Sequence, residues 1–137
     1  MRVLLDSNVL VAAFTTRGLC ADVVRVALAD HSVVVGEVNV REVRRVLSQR
    51  MKVPADVVAR VEDLLRAQTV VGKPRKRPTF DVRDPDDAWV LGAALAGQVE
   101  VLVTGDRDLL DMADPPLPIL SPRDFWELVR KREDEER

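Results

Sequence analysis

The chain has 137 residues, 47% hydrophobic and 32% charged, with a net charge of −2 and one cysteine. That length and balance predict one domain over residues 1–137 and exclude a disordered chain. The unpaired Cys20 excludes an intrachain disulfide and predicts a reducing, cytoplasmic setting, while the lack of a long apolar run or of a basic, apolar leader predicts neither a membrane span nor a signal peptide.

Residues 2–6 read as a buried strand ending on a carboxylate, and Ser7-Asn8 open a short helix running to Phe14. A loop over 15–18 leads to a helix over 19–30, whose apolar positions include Leu19, Val23, Val26 and Ala27 and whose Cys20 reads as a small core residue. His31-Ser32 ends that helix, Val33-Val34-Val35 is a short buried strand, and Gly36 breaks it. The spacing of Val40, Val43, Val46 and Leu47 predicts a helix over 37–50, and Pro54 opens another that runs to about Gln68. Thr69-Val70-Val71 reads as a short strand, and residues 72–83 as a proline-rich cationic loop. Asp84-Pro85-Asp86-Asp87 opens an almost wholly apolar helix to Ala96, with carboxylates at its positive end. A strand over 99–104, a turn at Gly105-Asp106, a short helix over 107–112, a strand at 119–120 and a final helix begun by Ser121-Pro122 complete the order. The last residues, 130–137, form a solvated run of charge.

Short apolar strands alternating with helices predict an α/β fold with a parallel sheet covered on both faces. Sites in such sheets lie at the carboxyl ends of the strands, where Asp6 and Asp106 fall in this chain. Glu42, on the helix after the second strand, and Asp87, at the start of a buried helix, are carried toward the same edge. Clustered carboxylates repel one another and take up protons unless a cation is bound. An all-oxygen set with one histidine and one cysteine in the whole chain favours Mg²⁺ or Mn²⁺ over zinc. Each acid also has a plainer reading: Asp6 as a helix cap, Glu42 as a surface residue, Asp84 and Asp86 as ligands or helix-start charges beside Asp87, and Asp108 as a fifth ligand or a solvated turn residue.

The segments Asp6-Ser7-Asn8-Val9-Leu10, Glu42 to Leu47, Asp84-Pro85-Asp86-Asp87-Ala88 and Val103 to Leu110 together resemble the PIN-domain nucleases. More narrowly they resemble the VapC-type toxin ribonucleases, from Met1 to about Phe125. The resemblance implies a three-layer α/β/α fold with a parallel sheet of four to five strands. It implies Mg²⁺- or Mn²⁺-dependent endoribonuclease activity on RNA, a homodimer, and an antitoxin partner that blocks the acidic pocket. It maps the catalytic and metal-binding acids to Asp6, Glu42, Asp87 and Asp106, with Asp108 as an accessory ligand. Ser7, Asn8, Asp84 and Thr104 fall at supporting positions, and Ser7 departs from the commoner Thr.

The loop 72–83 stands directly before Asp84, so Lys73, Arg75, Lys76 and Arg77 are expected to draw the RNA backbone toward an otherwise repulsive site. Phe80 is a candidate base-stacking ring, whereas Trp89 and Trp126 read as core. A haloacid-dehalogenase-like phosphatase needs an acid where Asn8 stands, and a receiver domain needs an acidic pair and a late lysine that are not evident. An RNase H-like fold needs more strands first. The remaining alternative is a catalytically silent PIN-like module that binds RNA or protein; occupation of all four acidic positions favours the enzyme.

Overall fold

A computed structural model describes residues 1–137, and its elements follow the predicted order. They are β1 (Arg2–Leu5), α1 (Ser7–Thr15), α2 (Leu19–Asp30), β2 (Ser32–Gly36), α3 (Glu37–Arg45), α4 (Ala55–Arg66) and β3 (Thr69–Val71), followed by α5 (Asp87–Ala96), β4 (Val101–Val103), α6 (Arg107–Leu110), β5 (Ile119–Leu120) and α7 (Pro122–Glu135). The five strands form one parallel sheet in the order β3-β2-β1-β4-β5. The sheet grows outward from β1 in both directions, which opens a crevice between the carboxyl ends of β1 and β4.

The unbroken apolar strands are explained by cover on both faces. Val3, Leu5, Val33, Val35, Val101 and Val103 point into a core of 19 buried residues shared with α1, α2, α3, α4 and α7. The alternate residues Leu4, Val34 and Leu102 point into a smaller core of nine, filled mainly from α5. That thinner layer is completed by Phe80 and Val82 of the 72–83 loop, which pack against it. Phe80 is therefore a core-covering ring that stands away from the acidic crevice, because the smaller layer needs its apolar surface more than solvent does.

Three local readings change. The helix expected over 37–50 ends as α-helix at Arg45 and finishes in a π turn over Val46–Arg50. The Ser48 hydroxyl donates to the Arg44 carbonyl at 2.7 Å, while the Met51 N–H reaches back five residues to Val46, so a side chain occupies a carbonyl that the regular ladder would use. The helix expected from Asp84 begins at Asp87, because Asp84 turns the chain first: its side chain accepts from the Asp86 N–H and its carbonyl from the Asp87 N–H. The charged run at the C-terminus is exposed as expected, but it is helical to Glu135.

Gly97, after α5, fits tightly over the sheet. A Cβ there would stand 2.7 Å from Val34 Cγ1, and its carbonyl accepts from the Arg2 guanidinium at 3.0 and 2.8 Å. Gly97→Ala is expected to cost about 1–3 kcal/mol through overpacking, read as a lower urea midpoint with an unchanged slope; an unaltered midpoint would show that β2 yields freely. No helix is long and apolar enough to cross a membrane.

Candidate active site

The crevice between β1 and β4 is a pocket of about 560 Å³. Its lining includes all four acids expected to meet there, Asp6, Glu42, Asp87 and Asp106, together with Asp84 and Asp86. Asp6 follows β1 as the N-cap of α1, and Asp106 follows β4 as the N-cap of α6. Asp87 is the first residue of α5, and Glu42 projects from α3. Segments far apart in sequence are thus brought to one edge by the parallel topology.

Asp6 is 8% exposed and fully engaged. One oxygen accepts from the Ser7 N–H at 2.7 Å and from Asn39 Nδ2 at 3.2 Å. The other accepts from the Thr104 hydroxyl at 2.8 Å and from Asn8 Nδ2 at 3.4 Å. Asp6 therefore caps α1 and forms part of the pocket wall with the same side chain. Thr104 also accepts from the Asp106 N–H at 3.0 Å, so one hydroxyl links the two acids that end adjacent strands. Asn8 Oδ1 accepts from the Gly105 N–H at 2.9 Å, which ties α1 to the loop after β4.

Sequence reasoning missed Asn39. Its amide donates to Asp6 and to the Ser7 hydroxyl, and its oxygen accepts from the Gly36 N–H. It is 3% exposed, one helical turn before Glu42 on α3. The available signal was a buried-face position held by an amide between Gly36 and Val40, because a buried amide must find partners. Arg41 and Arg45 of α3 also line the pocket and were missed, whereas of the four loop cations only Lys73 does so. Arg77 pairs instead with Asp86 at 3.3 Å.

The charge in this pocket is unbalanced. Six carboxylates face three cations, Arg41, Arg45 and Lys73. Burial, the largest cause, raises the Asp6 carboxyl to about 6 against the lowering effect of the Thr104 and Ser7 hydrogen bonds, and Glu42 and Asp106 push it further up. Asp87 rises to about 7, first through burial and then through Asp106, with Asp84 and Asp6 adding to it. Asp87 Oδ2 is buried without a hydrogen-bond partner.

Carboxylate oxygens of Asp87, Asp106 and Asp108 lie within 4.8 Å of one another. Asp108 is fixed there by its N–H, which donates to Asp106 Oδ1 at 2.9 Å, and it faces Arg83 at 3.6 Å. Asp6 and Glu42 line the crevice with Asp87 and Asp106 but stand outside this tightest group, whereas Asp108 lies beyond that lining, beside Val82 and Arg83; Glu42 is exposed. Hard oxygen donors and an unpartnered buried carboxylate oxygen fit a divalent cation such as Mg²⁺ or Mn²⁺. Asp87, Asp106 and Asp108 would hold it.

Trp89 is not a core residue. It lines the pocket two residues beyond Asp87, with Lys73 Nζ 4.5 Å from the centre of its ring. Helical periodicity misplaced it because α5 is apolar nearly all round, which hides the side that faces the crevice. Trp126, by contrast, packs against the larger core.

Comparison with known proteins places this pocket in context. A family model described as PIN domain matches residues 2–108. Among solved structures, the chain is similar to one from the crystal structure of VapBC2 from Rickettsia felis bound to a DNA fragment from their promoter. That likeness has a TM-score of 0.61 at 12% sequence identity and covers 88% of this chain and 98% of that one. No curated protein sequence matches this one.

Proposed function

The chain belongs to the PIN-domain family, and on that premise we propose that it is a divalent-metal-dependent endoribonuclease, the toxin of a toxin–antitoxin pair. The observation that carries this reading is the unpartnered, buried Asp87 oxygen within a cluster of carboxylates that lacks matching positive charge. The whole chain, residues 1–137, acts as the one nuclease domain.

In this reading a bound Mg²⁺ or Mn²⁺ supplies a Lewis acid that offsets charge developing on the phosphodiester. The protein's own groups do the positioning. Asp87, Asp106 and Asp108 would hold the ion, whose charge would favour the ionised form of Asp87. Asp6 is kept in one orientation by its four donors, so little reorganisation is left for the moment of reaction. Glu42, exposed on α3, completes the acidic rim. Arg41, Arg45 and Lys73 draw the RNA backbone past the carboxylates.

The fold shared with the Rickettsia felis VapBC2 chain supports an antitoxin partner. So does an apolar groove of about 420 Å³ lined by Phe14, Ala21, Val24 and Leu28 of α1 and α2. We further propose a homodimer, which the motif resemblance implies.

The test is cleavage of defined RNAs with Mn²⁺ and with a chelator. Internal cuts that need Mn²⁺ are expected, and intact RNA under both conditions would reject the enzyme. A further expected result concerns the cationic loop. Replacing Lys73, Arg75, Lys76 and Arg77 by Gln weakens RNA binding and flattens its salt dependence by about 0.7 in log–log slope for each phosphate no longer neutralised. Filter binding at two salt concentrations measures this; identical affinity at low salt would assign the attraction to Arg41 and Arg45 instead.

A further inference from the structure

The pocket holds one aromatic ring among its charged groups, and metal binding does not use it. Trp89 lies two residues from Asp87 on α5 and is partly exposed to the pocket. α5 is otherwise built of small and aliphatic residues there, with Ala88, Val90, Leu91, Ala93 and Ala94 buried beneath it. Lys73 reaches from the loop after β3 to rest over the ring, and that lysine is itself exposed.

We propose that Trp89 is a stacking platform for an unpaired nucleobase next to the phosphate being cut. This rests on the ribonuclease reading of the pocket. Lys73 occupies the ring face while it is free. An exposed cation–π contact is worth a factor of about 2–5 in equilibrium, whereas a base stacked on an aromatic ring is worth about 5–150. A base therefore displaces the ammonium, which moves to the adjoining phosphate, so a single entering nucleotide satisfies both groups. Paired bases in an A-form helix present edges and no free faces to such a ring. Selection for unpaired RNA follows from the shape of the contact and requires no reading of base edges.

Tryptophan emission tests this on the Asp106→Asn protein, which keeps the wall and the ring but is expected not to cut. A short unstructured oligoribonucleotide should quench the emission, and the same strand annealed to its complement should bind at least about 10-fold more weakly without quenching. Trp89→Phe should abolish the quenching yet hold affinity to within about 3-fold, because a smaller ring still stacks, while Trp89→Ala should lose about 10-fold. If the alanine variant does not fold, quenching of the intact Trp89 and its loss in the phenylalanine variant decide the matter. Equal binding of duplex and single strand, or undiminished affinity in folded Trp89→Ala, overturns the proposal. The ribonuclease reading fails separately: if wild-type protein with Mn²⁺ leaves every RNA intact while single strands still quench Trp89, the platform stands and the cleavage does not.

Discussion

Replacing Asp106 by Asn is expected to lower metal-dependent RNA cleavage by about 10³-fold or more while the protein stays folded. Asp106 belongs to the tightest carboxylate group, so its loss takes one of three close ligands from the ion. Its structural duties survive the change. The Asn oxygen can still accept from the Asp108 N–H, and the backbone N–H still donates to Thr104. The new amide faces Asp87, whose buried oxygen lacks a donor. One variant thus removes a ligand and relieves a repulsion. In the presence of a chelator at pH 8 it should melt at a higher temperature than wild type. Residual cleavage within tenfold of wild type would mean that Asp106 does not hold the ion. Asp6→Asn is a less clean test, because four donors converge on that carboxylate and an amide can accept at only one of its two positions.

The second large effect is on stability as a function of pH, and bound metal reverses it. Folding raises Asp6 from 3.8 to about 6 and Asp87 from 3.8 to about 7. Between about pH 4 and pH 7 the metal-free folded protein therefore holds protons that the unfolded chain has released, and its stability falls as pH rises through that window. Above both folded values the loss is complete; for Asp6 alone it amounts to about 3 kcal/mol. His31 acts in the opposite sense, since burial lowers its value from 6.5 and the folded state loses stability as that ring is protonated on acidification. A His31→Gln background removes that opposing contribution. Mn²⁺ takes the place of the protons, so its stabilising effect should be small at pH 5 and large at pH 8. Thermal melts at those two pH values, with chelator and with Mn²⁺, measure both trends. A metal-free melting temperature that does not change between pH 5 and pH 8 would show that the acids are better solvated than their burial implies. In Asp106→Asn the pH dependence should shrink, because Asp106 raises both neighbours.

The two results are coupled through one physical cause. The acids are poised by burial and mutual repulsion, and a hard cation relieves both. A silent binding module has no need to maintain that strain, whereas a metal-dependent nuclease gains from it, since ion binding then also fixes the wall of the pocket.

Periodicity alone determined much of this protein. The strand and helix order, the parallel sheet with cover on both faces, and the placing of Asp6 and Asp106 just beyond strands were legible because burial imposes its pattern within a few residues along the chain. The four short motifs carried the family, and the family model matches the same stretch. Tertiary structure alone decided which neighbours complete the site. The motif resemblance names Thr104 as a supporting residue, but only the fold shows that it reaches Asp6 across 98 positions and that Asn39 reaches the same carboxylate across 33. The same holds for Arg41 and Arg45 at the rim, for Glu42 standing exposed outside the tight trio, and for Trp89 facing the crevice. Burial follows from each residue's own chemistry and its near neighbours, but partnership and proton affinity depend on distances in space, which are set only when the sheet brings remote segments to one edge.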